Sequence, residues 1–108
     1  MSRVYLFDPG VRFNTNSASS YGEVVRAYPE GISLFNTDQL TAVIFDTLRR
    51  FDPDEDFITL TGNNVVLSLA VALALSAYGR VKLLIFDART SKYVERTIED
   101  PSWREQHA

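Results

Sequence analysis

The sequence predicts one α/β (or α+β) domain, a mixed sheet of five to six strands with two crossover helices and terminal hairpins. Residues 64–78 read NVVLSLAVALALSAY without a charge between Gly62 and Gly79, which indicates one buried helix. Apolar runs at 57–61 and 81–86 flank that helix and are typical of buried strands. The chain's 108 residues suffice for one core and are too few for two.

The first third of the chain is predicted to form strands and loops. Residues 3–8 alternate apolar and aromatic side chains and are expected to form a strand that ends at Asp8-Pro9-Gly10. Residues 11–13 can resume pairing, and 14–20, NTNSASS, form a polar loop. Residues 23–28 and 32–35 are predicted to pair as a hairpin across Pro29-Glu30-Gly31.

A first helix is predicted from residue 36 or 37 to about residue 51. Asn36 or Thr37 supplies the N-cap, and Gln39 stands three residues after Asn36, as in a capping box. The acidic connector DPDED then ends the helix at Pro53. The inward-facing residues are expected to be Leu40, Val43, Ile44, Leu48 and Phe51, with Phe45 off this stripe.

The second half of the chain predicts a parallel β-α-β unit spanning residues 57–86. Asn63 or Asn64 caps its helix, and the right-handed crossover makes the two strands parallel neighbours. Residues 87–92 turn the chain back into a last strand, 93–98, whose Glu95 and Arg96 suit a sheet edge. We expect the domain to span 1–98 and a polar tail to span 99–108, ordered where Trp103 docks.

The helix at 64–78 has two faces of large apolar residues, more than one sheet can cover. Stripes of small residues separate these faces: Ser68, Ala72 and Ser76 on one side, and Ala70, Ala74 and Ala77 on the other. One interpretation places the helix between the sheet and the other helix of the same chain. The alternative predicts a homodimer or higher homo-oligomer. Its interface would comprise Leu67, Val71, Leu75 and Tyr78.

Composition argues against the common catalytic and metal chemistries. The chain lacks cysteine, and its one histidine is His107, so Cys-His or Ser-His nucleophiles and zinc sites are not expected. We predict no catalytic residue and no cofactor. A net charge of −3 gives no general attraction to nucleic acid or membranes. The N-terminal MSRVYLFD lacks a signal pattern, so a cytoplasmic protein is expected.

Two ligand sites are considered at strand ends. The turn Thr61-Gly62-Asn63-Asn64 joins a strand to a helix N-terminus, where free backbone N–H groups favour a phosphate or another small anion. The turn lacks the glycine pattern of a dinucleotide site and the lysine of a P-loop. Asp8 and Asp87 each end an apolar strand and could share a Mg²⁺ if those strands are neighbours.

The last hairpin carries Arg89, Lys92, Tyr93 and Arg96, a set that could hold single-stranded nucleic acid. The leading functional prediction is nevertheless a small non-enzymatic binding protein that self-associates through the helix at 64–78. A nucleotide- or phosphate-binding domain is the first alternative, and nucleic-acid binding is the second. A protein partner also remains open.

Overall fold

A computed structural model describes residues 2–8 and 18–107. The predicted turn at 8–10, the pairing at 11–13 and most of the loop at 14–20 lie outside the described residues. Five strands form one sheet in the order β2-β1-β3-β4-β5, in which the first four are parallel and β5 runs antiparallel to β4. The strands are β1 (Arg3–Leu6), β2 (Glu23–Arg26), β3 (Phe57–Thr59), β4 (Arg80–Asp87) and β5 (Lys92–Glu99).

Two helices pack together on one face of this sheet, which confirms the predicted fold class. Helix α1 spans Thr37–Thr47 and continues into a 3₁₀ turn at Leu48–Arg50, and α2 spans Asn64–Tyr78. The predicted parallel unit exists as β3, α2 and β4. A short helix α3, Trp103–His107, follows β5. None of the described helices is long and apolar enough to cross a membrane.

The core has two layers because strand residues alternate between the faces of the sheet. On the helix face, Tyr5, Ile58 and Leu83 pack against Ile44 of α1 and Ala70 of α2. The opposite face buries a second cluster around β1, β3, β4 and β5, namely Val4, Phe57, Leu84 and Tyr93, with Ala18 and Tyr21 packed on it. Residues 18–21 therefore cover the face that α1 and α2 leave free.

The predicted hairpin between residues 23–28 and 32–35 was wrong. β2 pairs in parallel with β1, Arg3 opposite Glu23, and residues 32–35 form turns in place of a strand. The apolar alternation at Ile32 and Leu34 arises because both side chains pack against the core from a loop, while Phe35 is 97% exposed. The short alternating run therefore reflects side chains that a loop buries, and not a strand.

Helix α1 begins where the capping pattern predicted. The Asn36 side chain accepts a hydrogen bond from the Gln39 backbone N–H at 3.2 Å and donates to the Gln39 side chain at 3.0 Å. The predicted apolar residues Leu40, Ile44, Leu48 and Phe51 are buried. Val43, predicted to face inward, is 37% exposed because the buried stripe is narrower than expected.

Buried Asp56 joins the connector after α1 to the start of β1. Its carboxylate accepts hydrogen bonds from the backbone N–H groups of Arg3 and Asp52, both at 2.8 Å, and pairs with the Arg3 guanidinium at 3.1 Å. Burial is the largest single influence on the pKa of Arg3 and lowers it, but the hydrogen bond to Asp56 and the charges of Tyr5, Asp56 and Glu23 together raise the pKa above its usual value. The acidic connector is therefore a folded structural element.

Candidate functional site

The carboxyl edge of the sheet contains a topological switch point between β1 and β3. The chain leaves β1 toward β2 on one side of the sheet order and leaves β3 toward β4 on the other. Open α/β sheets commonly bind ligands in the crevice at such a point. The predicted turn Thr61–Asn64 lies there, directly after β3.

Gly62 allows contact between the two chain segments that leave β1 and β3. Its φ is +135°, and a Cβ at this position would lie 2.3 Å from the backbone oxygen of Phe7. A side chain is therefore excluded by both conformation and space. Within the turn predicted to bind an anion, Gly62 thus lets the segment after β1 approach the backbone.

Two other residues of the turn, Asn63 and Thr61, have structural roles. Asn63 is the N-cap of α2, and its side-chain oxygen accepts from the backbone N–H groups of Val65 at 2.9 Å and Val66 at 3.3 Å. Burial raises the pKa of Tyr93, and the neighbouring Thr61 side chain lowers it in part. Asn64 is exposed as the first residue of the helix. Two N–H groups that an anion would use are thus already occupied.

Asp8 and Asp87, the predicted metal-binding pair, lie at the same edge of the sheet, but the strands that they follow are not neighbours. β3 separates the strands that Asp8 and Asp87 end, so their backbones lie roughly 10 Å apart at two strand spacings. Asp87 accepts from the Arg89 backbone N–H at 3.0 Å within its own turn. Among the described residues, no group of three or more His, Cys, Asp or Glu side chains could hold a metal ion.

The predicted nucleic-acid residues do not share one face. Tyr93 is 6% exposed, with its ring packed edge-on against Phe86, whereas Lys92 and Arg96 lie on the opposite face of β5. Arg89 pairs with Asp87 in the preceding turn. The aromatic platform that a stacked base needs is therefore buried, which removes the physical basis given for this patch.

Helix α2 presents a different surface from the one predicted. Its fully buried stripe is Val66, Ala70 and Ala74, so small residues face the sheet. The predicted interface residues Leu67, Val71, Leu75 and Tyr78 are half-buried and pack against the core. Tyr78 also donates a 2.5 Å hydrogen bond to the Leu48 carbonyl, which directs its side chain toward the end of α1.

The side of α2 that faces solvent was missed as a candidate. Its exposed positions are Asn64, Val65, Ser68, Ala72, Ser76 and Ala77. The sequence displayed the stripe Ser68, Ala72 and Ser76, but periodicity cannot tell which of two small-residue stripes faces the sheet. At the end of the helix, Trp103 lies over Gly79 and donates from Nε1 to the Ser76 carbonyl at 3.2 Å.

Comparison with known protein families gives a match that spans most of the chain. No curated protein and no solved structure matches it. The family model described as phage Pam3 gp32-like protein matches residues 8–100, which includes β2 through β5 and both crossover helices. Because this match spans most of the chain, the protein belongs to the phage Pam3 gp32-like family.

Proposed function

We propose that this protein is a small non-enzymatic binding protein that self-associates through the solvent-facing side of α2. One observation carries the proposal: the exposed positions of this 15-residue helix hold no charged residue. A helix side that faces water in a monomer normally carries charged and polar residues. The uncharged side is therefore better suited to contact with protein than with water.

A second copy of the chain is the partner that this surface fits. Ser68, Ala72 and Ser76 follow one another at intervals of four, which forms one ridge of small residues. In a two-fold contact the ridge crosses its own copy, so Ala72 lies near the axis and the two backbones can approach closely. Since the ridge has no charge, the crossing of the two ridges brings no like charges together.

Neighbouring apolar residues extend the surface. Ile85 of β4 and Ile98 of β5 are each 40% exposed and lie on the same sheet face as α2. Half-buried Leu75 borders the ridge on α2 itself, whereas Tyr78 is directed into its own chain. A stable dimer buries about 800 Å² per partner, more than one helix ridge supplies, so these flanking residues are needed.

Light scattering coupled to size-exclusion chromatography tests the proposal. At tens of micromolar we expect the mass of a dimer or larger assembly for the wild type and of a monomer for Ala72→Arg. Ala42→Arg is the matched control, because Ala42 is exposed in the middle of α1. It should keep the wild-type mass. A monomeric wild type, or equal masses for the two variants, would contradict the proposal, and circular dichroism checks that both remain folded.

Phosphate or nucleotide binding at the switch point is the second candidate function. It is favoured by the position of the Thr61–Asn64 turn at the switch point between β1 and β3, where such ligands commonly bind. The test is a thermal-shift series with nucleotides and inorganic phosphate, with and without Mg²⁺. Binding to the native state should raise the melting temperature. An unchanged melting temperature across the series would reject this function.

A further inference from the structure

A second cleft, of about 630 Å³, lies at the opposite edge of the sheet from the switch point. Its floor is formed by β1 and β2, through Tyr5 and Val25, and its wall by the end of α1 and the 3₁₀ turn, through Thr47 and Arg50. Arg3, Glu23, Asp46 and Arg49 complete the lining. The volume falls within the roughly 300–1,000 Å³ range of small-molecule sites.

The Tyr5 hydroxyl is an unused hydrogen-bond donor in this cleft. The residue is only 2% exposed, yet its hydroxyl makes no hydrogen bond to any residue that the structure describes. The hydroxyl is also not among the fully enclosed polar atoms, so it remains reachable from the cleft. Burial raises the pKa of Tyr5, which keeps this donor protonated at neutral pH. Buried polar groups without a partner are uncommon in folded proteins.

The charges around the cleft balance, because its three arginines are matched by Glu23 and Asp46 of the lining and by Asp56, which pairs with Arg3. Arg49 lies 3.6 Å from Asp46 and stacks over Phe45. The Arg50 guanidinium, by contrast, has no ion pair within the described part of the chain. The Arg50 fork, the Tyr5 phenol donor and the Glu23 carboxylate therefore remain, and the first two are the groups that can donate to an oxyanion.

We propose that this cleft binds a small organic oxyanion, a carboxylate or phosphate carried on an apolar body. The oxyanion accepts hydrogen bonds from the Tyr5 hydroxyl and the Arg50 guanidinium. The apolar body packs on half-buried Val25, since the Tyr5 ring is itself covered by Arg3 and Phe51. Glu23 and Asp46 disfavour ligands of high negative charge. This site is separate from both the α2 surface and the switch point.

Titration of the full chain with phenyl phosphate, benzoate and inorganic phosphate, followed by two-dimensional NMR and calorimetry, tests the assignment. Saturable binding of phenyl phosphate or benzoate, stronger than that of inorganic phosphate, should shift the amide signals of Val25 and Thr47. Tyr5→Phe removes only the hydroxyl and should weaken binding about three- to tenfold. Arg50→Gln should weaken it at least about tenfold, because its hydrogen bond is charge-assisted.

Arg89→Gln is the control for nonspecific charge attraction, since Arg89 is 91% exposed and lies beyond the far edge of the sheet. It should bind the probes as the wild type does. Failure of all three probes to saturate would overturn the proposal, as would equal losses in Arg50→Gln and Arg89→Gln. Unchanged affinity in Tyr5→Phe would also overturn it, because the phenol would then not be a ligand donor.

Discussion

Replacing Gly62 with alanine should cost more stability than its positive φ alone explains. The added Cβ would lie 2.3 Å from the Phe7 oxygen, so the exits of β1 and β3 must separate by about 1 Å to restore an ordinary contact. Backbone strain at such a φ costs about 1–3 kcal/mol, and separating two packed strand exits adds at least as much as a lost hydrogen bond. We expect a total near 3 kcal/mol, or roughly 15 °C in melting temperature for a domain of this size.

Gly31→Ala isolates the conformational part of that cost. Gly31 has a φ of +77°, but a Cβ there would meet no atom within 4 Å. Its replacement should cost about 1 kcal/mol, the penalty for a left-handed alanine. Urea denaturation of the wild type and both variants measures the difference. If Gly62→Ala is no more destabilising than Gly31→Ala, the contact between the two strand exits does not contribute to the fold.

Two further predictions concern buried polar groups. Asp56→Asn should destabilise the fold by about 2 kcal/mol, because the new amide N–H₂ faces hydrogen-bond donors. Asp54→Asn is the control and should cost under about 0.5 kcal/mol, because the ion pair of Asp54 with Arg80 is exposed on both sides. Equal shifts of the urea midpoint in the two variants would refute this prediction. Burial raises the pKa values of Tyr5 and Tyr93 in the folded protein above the unfolded value of 10.0. The neutral phenols therefore contribute their full stability to the fold below pH 10.0, and this contribution is lost as the pH rises through the folded-state pKa values. Two of the five tyrosines should therefore ionise late in an ultraviolet titration of the native protein, and uniform ionisation near pH 10 would contradict the burial argument.

Local signals made helix α2 predictable to the residue. Asn63 at its start and Gly79 at its end, with φ +80°, are strong caps, and the uncharged run between them excludes a loop. The pairing of β2 was not predictable in this way. Parallel pairing with β1 depends on a crossover through residues 7–22, and no local pattern distinguishes it from a hairpin with 32–35.

The candidate sites were only partly predictable, for the same reason. The strand-to-helix turn at Thr61 was visible because it is continuous in sequence, but its contacts with Phe7 and Tyr93 come from strands that are distant in the chain. The cleft around Tyr5 and Arg50 combines β1, β2 and the end of α1 with its 3₁₀ turn. Neither residue has a local signature, so only the sheet order brings the phenol and the guanidinium together.

The charges of β5 favour the α2 surface over the sheet edge as the site of self-association. The register with β4 places Lys92 and Arg96 on the helix face and Glu95 and Glu99 on the other face. When two edge strands pair about a two-fold axis, the axis is perpendicular to the sheet, so opposed residues come from the same face of each copy. An axis on residue 95 or 96 places that residue opposite its own copy, an axis on 94 places Lys92 opposite Arg96, and an axis on 97 places Glu95 opposite Glu99. Each arrangement therefore brings like charges together, which is destabilising. The helix ridge around Ala72 carries no such penalty, because repulsive charge is present along the strand edge and absent from α2.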